Sequence, residues 1–146
     1  RALPGVVSAS LSTHTPMSGA TWSEPALPAG QPLPERDTAV FVGASPGFFA
    51  TLQIPIVAGR EFTDADTRQS PPVAIVNENY ARRFLGDRNP IGQRLSAVVR
   101  GEKKELETVP AARSIAHDSL RKAPPATVYV AYYQLTGAVP TNVEVR

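Results

Sequence analysis

The sequence contains no cysteine among its 146 residues. This absence excludes disulfide bonds, thiolate metal sites and a cysteine nucleophile. No apolar run approaches the ~20 residues that a membrane-spanning helix needs, and no stretch has the pattern of a signal peptide. A glycine-rich phosphate loop is also missing, so we do not expect this chain itself to bind ATP.

The chain also has little excess charge of either sign. Its formal net charge is +2, and the basic residues occur as short pairs, such as Arg82 with Arg83 and Lys103 with Lys104. Nucleic-acid binding is typical of longer basic stripes with interleaved aromatic residues. We therefore interpret these pairs as a solvated surface and expect no nucleic-acid partner.

Proline, by contrast, is abundant. The chain has 15 prolines, which is about twice average usage, and their positions between apolar runs indicate turns and strand ends. A length of 146 residues with 42% hydrophobic residues is sufficient for one domain with its own core. The first residues resemble a helix exit and the last a strand, so we interpret the chain as an excised domain of a longer protein.

Short apolar segments predict most of the secondary structure. Alternating or β-branched patterns predict strands at residues 6–12, 38–43, 73–76, 94–100, 105–109, 128–133 and 142–145, with an irregular strand at 54–57. Helical spacing and capping residues predict short helices after residues 47, 63 and 77, the last one capped by Asn77. Strands and helices do not alternate regularly. The predicted fold class is therefore α+β, with several short, mostly antiparallel strands and two or three short helices.

Residues 14–34 predict a long loop, which contains the single tryptophan of the chain. Loops of this length are usually functional or mobile. Trp22 has two interpretations: an exposed contact for a partner, or a plug that fastens the loop to the core. On grounds of expected exposure, the candidate partner contacts are Trp22, Pro34, Glu35 and Arg36.

Residues 43–47 fit the G-x-S-x-G pattern of a hydrolase nucleophile elbow, and they follow a predicted strand. Asp87 and His117 come later, in the chain order of a hydrolase triad. The residue after the nucleophile has to donate its backbone N–H to the oxyanion hole, yet Pro46 has no N–H. We therefore prefer a turn in which the Ser45 hydroxyl bonds a nearby amide, and we keep a serine hydrolase as a remote alternative.

Candidates for a metal site are weak. Glu61, Asp64 and Asp66 cluster near a predicted turn, as carboxylate ligands of a hard cation would. However, the later glycine and glutamate of a calcium loop are absent, and helix capping explains the two aspartates better. His14 and His117 are far apart in the sequence and have no evident third ligand. We expect no metal, no cofactor and no catalytic residue.

The segment from residue 45 to residue 95 resembles a known family. Its signature reads SPGFF at 45–49, LxIPxxxGRxFTxxD at 52–66, PVAIVNE at 72–78, ARRF at 81–84 and PIGQRL at 90–95, with LPGV at 3–6 and PPxxVYVxY at 124–132. These residues resemble the periplasmic core domain of MacB/FtsX-like ABC transporter permeases over nearly the whole chain. One departure is Pro110, which stands where the family has a glycine, and we expect an edge strand or a break there.

The resemblance implies an extracytoplasmic domain on the periplasmic side of the bacterial inner membrane. It implies a porter-like part, with residues 1–44 and 124–146 as flanking strands, and an inserted β-rich part at residues 45–123. The implied partners are the transmembrane helices of the parent permease, a cytoplasmic ATPase subunit that acts indirectly, and a periplasmic partner or exported substrate. The family offers no catalytic residues in this domain.

The leading interpretation is a non-catalytic domain of an ABC permease that couples transmembrane movement to substrate export or partner contact. The alternative is an independent periplasmic module that binds a small ligand or a peptide. Such a module needs a concave apolar pocket, which the loop carrying Trp22 is placed to close.

Overall fold

The computed structural model describes residues 4–13, 22–32, 38–112, 124–135 and 142–146. Its strands are β1 Ala9–Ser12, β2 Ser23–Pro28, β3 Thr38–Ala44, β4 Ile56–Gly59, β5 Val73–Asn77, β6 Arg94–Val99, β7 Glu102–Ala112, β8 Thr127–Ala131 and β9 Asn142–Val145. Its helices are α1 Phe48–Thr51 and α2 Glu78–Tyr80, which continues as a π-helical turn over Ala81–Leu85, and a 3-10 turn over Tyr132–Gln134. The predicted α+β class is confirmed.

The strands form one mixed sheet in the order β2-β6-β7-β5-β8-β3-β1-β9, with β4 alongside β7. Strand β2 pairs with β3 along its first half and with β6 along its second half, so the six strands from β2 to β3 close into a ring. The pairs β3–β8 and β5–β7 are parallel, and the other seven pairings among the described residues are antiparallel. The predicted predominance of antiparallel strands is therefore confirmed.

Apolar side chains cover both faces of the ring, because successive residues of a strand point to opposite sides. On the inner face Phe41 and Leu95 belong to one buried cluster that receives residues from all six strands. On the outer face Tyr129 packs beneath Phe48 and Phe49, which lie on α1. Strands buried on both faces are continuous apolar runs, as β3, β5 and β8 are.

The junction between β5 and α2 is built by Asn77, as the sequence predicts. Its Oδ1 accepts hydrogen bonds from the backbone N–H groups of Tyr80 at 2.8 Å and Thr127 at 2.9 Å. Its Nδ2 donates to the carbonyl oxygen of Pro125 at 2.7 Å. This fully buried side chain caps the helix and joins it to the start of β8.

Two local predictions were wrong. The loop expected at residues 14–34 is interrupted by β2, because pairing with β3 and β6 outweighs the weak strand preference of its proline-rich sequence. The helix expected after Thr63 is a turn. There the Asp66 carboxylate accepts the Thr63 N–H at 2.8 Å and also binds Arg60, so it closes the turn on itself.

Pro110 neither breaks β7 nor makes it an edge strand. The strand continues to Ala112, and its register against β5 shifts between Ala74 and Val76. Beyond Glu107 the pairing with β6 ends and β4 takes its place. The irregular ladder accommodates a residue without an N–H. Strands from both predicted parts share this one sheet, and the division at residues 45 and 123 stays a prediction.

Candidate functional site

Ser45 lies at the end of β3, in the turn that precedes α1. Its Oγ accepts a hydrogen bond from the backbone N–H of Leu11 at 2.7 Å and lies 3.3 Å from the carbonyl oxygen of Pro46. The residue is only 3% exposed, so its hydroxyl joins the turn to β1, as the turn interpretation expects. His14 and His117 both lie outside the described residues, and Asp87 is exposed after the π-helical turn.

The two glycines of this motif have separate structural reasons. A Cβ added to Gly43 would stand 2.7 Å from Leu135 Cδ1 and 2.7 Å from Thr13 Cγ2, so the position needs the close approach that glycine allows. Gly47 has φ of 86° at the start of α1, a left-handed conformation that favours glycine. The motif is thus explained by packing and backbone geometry.

Two of the three carboxylates near residue 61, those of Glu61 and Asp66, make separate structural contacts. The Asp66 carboxylate binds the Arg60 guanidinium through two bonds of 2.8 and 3.0 Å. Burial acts to raise the pKa of Asp66, but this ion pair and a backbone N–H outweigh it and lower the pKa. Glu61 accepts the N–H of Phe49 at 3.3 Å, and burial raises the pKa of its carboxyl. In the part of the chain that the structure describes, no group of three or more candidate metal ligands occurs.

Trp22 lies half-buried just before β2. Its ring centroid is 5.4 Å from that of Phe41, and its Nε1 donates to Glu24 at 3.2 Å. These contacts, against the inner cluster of the ring, are those of a plug. Pro34, Glu35 and Arg36 lie outside the described residues. For all four residues a partner contact stays a prediction.

The ribbon of β1 and β9 extends from the ring beside β3, and its polar and apolar sides are reversed. Ser10, Ser12 and Glu144 are buried, and both serine hydroxyls donate to the Glu144 carboxylate. Val143 and Val145, on the other side, are 64% and 60% exposed. In a sheet with one face in water the polar residues normally face outward. The reversal leaves an apolar surface without a cover in the described part of the chain.

We call this surface the β1–β9 apolar face; it consists of Ala9, Leu11, Val143 and Val145. Within it Ala9 pairs directly with Val145, and Leu11 with Val143. The face continues into a groove of about 410 Å³, which is also lined by Pro46, Asp64 and Tyr133. Tyr133 is 42% exposed. Ala9 and Leu11 are half-buried, and with the two exposed valines they make this face a candidate interaction surface.

Sequence reasoning did not identify this face. The alternation in residues 6–12 and 142–145 separates serines from leucine and valines, but periodicity does not tell which side meets the core. The signal that was available is Val143-Glu144-Val145, where one acid separates two valines in a predicted strand. Only the hydrogen bonds that Ser10 and Ser12 donate to Glu144 show that the glutamate, and not the valines, is on the buried side.

Comparison with known proteins relates this architecture to a transporter family. A family model described as the MacB-like periplasmic core domain matches residues 2–111. Across 99% of the chain, the structure is similar to the periplasmic region of MacB from Actinobacillus actinomycetemcomitans, with a TM-score of 0.67 and 14% identity. The extracellular domain of the noncanonic ABC-type transporter YknZ from Gram-positive bacteria gives a TM-score of 0.62 at 19% identity over 99% of the chain. A domain of a putative permease protein from Porphyromonas gingivalis also gives 0.62, at 15% identity over 99% of the chain.

The matched structures are longer than this chain. The chain covers 59% of the Actinobacillus structure, 67% of the YknZ structure and 57% of the Porphyromonas structure. No curated protein gives a significant match. Among the described residues, no helix has both the length and the apolar character needed to cross a membrane.

Proposed function

Since the chain belongs to the family of MacB-like periplasmic core domains, we propose that it transmits movement between the two sides of the membrane. In this proposal it is a non-catalytic extracytoplasmic domain on the periplasmic side of the inner membrane. A cytoplasmic ATPase subunit moves the transmembrane helices of the parent permease, and the domain moves with them as a rigid body. That movement acts on an exported substrate or on a periplasmic partner.

The observation that supports this proposal is the β1–β9 apolar face. A domain that transmits movement needs a firm interface with the rest of its parent protein, and this face is exposed and apolar. The matched transporter structures contain chain that has no counterpart here. We propose that the corresponding extracytoplasmic chain of the parent permease covers the β1–β9 apolar face.

Covering this face with apolar residues contributes a modest favourable free energy to the contact. Complete burial of a valine side chain contributes about 1.5 kcal/mol. Val143 and Val145 are both more than half exposed, so covering the pair contributes about 2 kcal/mol. Leu11 and Tyr133 at the groove enlarge the apolar surface that such a contact removes from water.

The test compares one double variant in two lengths of protein. Val143→Lys with Val145→Lys leaves the stability of the 146-residue chain unchanged within about 0.5 kcal/mol, because both positions are exposed there. In the longer extracytoplasmic region of the parent, the same variant places two charges in an apolar interface and lowers the melting temperature. Val57→Lys is the matched control, since Val57 is 55% exposed on another strand. The proposed interface is wrong if the longer region tolerates the double variant as well as it tolerates the control.

The non-catalytic part of the proposal is tested at Ser45. A fluorophosphonate probe, which labels activated serines, is expected to leave the chain unlabelled because the Ser45 hydroxyl is buried and bonded to Leu11. Labelling that disappears in Ser45→Ala would restore the hydrolase alternative.

A further inference from the structure

A second cavity, of about 100 Å³, lies between the loop of residues 67–72 and strands β5 to β8. Its apolar lining consists of Val73, Val99, Leu106, Val130, Ala131 and Leu135. The side chain of Gln134 holds the loop in place: its Nε2 donates to the carbonyl oxygens of Thr67 at 3.1 Å and Pro71 at 3.0 Å. Its Oε1 accepts the N–H of Val73 at 3.1 Å. The cavity is therefore formed before any ligand arrives, which lowers the entropic cost of binding.

The charged residues that line this cavity are both cations. They are Arg68 and Lys104, and no acidic side chain is among the lining residues. The Nε of Arg68 donates to the carbonyl oxygen of Leu135 at 3.1 Å, which anchors the guanidinium at the cavity. The Lys104 ammonium lies 3.7 Å from the carboxylate of Glu102, an exposed side chain. An apolar lining with two cations favours a ligand that has an apolar group and a negative charge.

We propose that this cavity binds a small branched carboxylate, with its alkyl group among the valines and leucines and its carboxylate at Arg68 and Lys104. The volume of the cavity limits the size of the alkyl group. A cavity of about 150 Å³ holds benzene, and the smaller cavity here, of about 100 Å³, is of a size for a branched alkyl group of roughly four carbons. Isovalerate has both features and is the probe of choice.

The test is an NMR titration of the ¹⁵N-labelled chain with isovalerate. The expected result is a saturable shift at low-millimolar ligand, confined to the amides of Val73, Leu106 and their neighbours at the cavity. Isovaleramide has the same shape without the charge and is expected to bind about fivefold more weakly or worse. A shift that spreads over the surface without saturation, or equal binding of the amide, overturns the proposal.

Substitutions test the cationic part and the apolar part of the site one at a time. Arg68→Gln and Lys104→Gln are each expected to weaken isovalerate binding about fivefold, as the loss of one exposed ion pair does. Lys103→Gln is the matched control, because Lys103 is the exposed neighbour on the same strand and does not line the cavity. Val99→Phe fills the cavity and is expected to abolish binding. The proposal fails if the control weakens binding as much as Lys104→Gln does.

The C-terminus of a peptide ending in valine has the same branched carbon skeleton and carboxylate as isovalerate. A tripeptide that ends in valine is therefore the second arm of the titration. Tighter binding of the tripeptide than of isovalerate assigns the cavity to peptide C-termini, whereas equal or weaker binding assigns it to free acids. Shifts by either ligand at the cavity amides support the branched carboxylate as the recognised group, and no shift by both overturns it.

Discussion

Replacing Asn77 with alanine is expected to destabilise the protein severely. The substitution removes the Oδ1 acceptor of the Tyr80 and Thr127 N–H groups and the Nδ2 donor to Pro125. Loss of a helix N-cap costs about 1 kcal/mol. The Thr127 N–H then loses its partner in a buried site, at about 1–3 kcal/mol, whereas the Pro125 carbonyl keeps a hydrogen bond from the Thr127 hydroxyl at 3.0 Å. Together we expect the free energy of unfolding to fall by about 2–4 kcal/mol.

The assay is urea unfolding followed by circular dichroism, with Asn79→Ala as the control. Asn79 lies two residues away and bonds Pro124 and Arg82, but it is only half-buried, so water replaces its contacts. We expect the free energy of unfolding of the control to fall by less than about 1 kcal/mol. Both variants should keep the urea dependence of the wild type, so that the midpoint alone reports stability. If Asn77→Ala lowers the free energy of unfolding by no more than Asn79→Ala does, the three hydrogen bonds of Asn77 do not stabilise the junction between β5 and α2.

Three further predictions use the same unfolding assay. Tyr129→Phe is expected to raise the free energy of unfolding by about 1 kcal/mol, because the buried Tyr129 hydroxyl has no hydrogen-bond partner among the described residues. Tyr80→Phe is expected to lower it by about 1 kcal/mol, because the Tyr80 hydroxyl donates to a β2 carbonyl at 2.9 Å. Gly43→Ala is expected to cost about 1–3 kcal/mol, since its Cβ would stand 2.7 Å from two methyl groups. The effect of substitution on stability is expected to depend on pH with opposite signs at two carboxylates. Glu61→Gln is expected to stabilise at neutral pH, because burial raises the pKa of Glu61, and the gain disappears as the pH falls below the ordinary value of 4.5. Asp66→Asn is expected to destabilise at neutral pH, because the ion pair lowers the pKa of Asp66, and the deficit shrinks as the pH falls below 3.8.

Each of these predictions has an outcome that contradicts it. A stabilising Tyr80→Phe, or an equal loss in both tyrosine variants, is incompatible with the hydroxyl contacts described. Gly43→Ala at wild-type stability means that the two methyl groups move aside without cost. Glu61→Gln and Asp66→Asn with parallel pH profiles would contradict the opposite pKa shifts.

The location of the core and of the helix cap could be predicted from the sequence. Strands β3, β5 and β8 are continuous apolar runs bounded by prolines, glycines or polar residues, and such runs are buried in most folds. Asn77 follows one of them and precedes a helical pattern, which is a local signal that needs no distant partner. The family resemblance from residue 45 to residue 95 likewise depends on contiguous residues, and it agrees with the matched family.

Strand β2 and the candidate site were decided by tertiary contacts. The segment Ser23–Pro28 has weak strand preference, and it becomes a strand because β3 and β6 offer it ladder partners and it closes the ring. The cavity beside Arg68 joins residues that are far apart in the chain, from the loop, four strands and the 3-10 turn.

Alternation in the sequence determined that the β1 and β9 segments have two chemically different sides. Only the folded chain decided which side is buried, because the two serine hydroxyls of β1 lie where they can pair with the Glu144 carboxylate. A buried carboxylate is tolerated when hydrogen bonds replace its water, and the valines then remain on the open side.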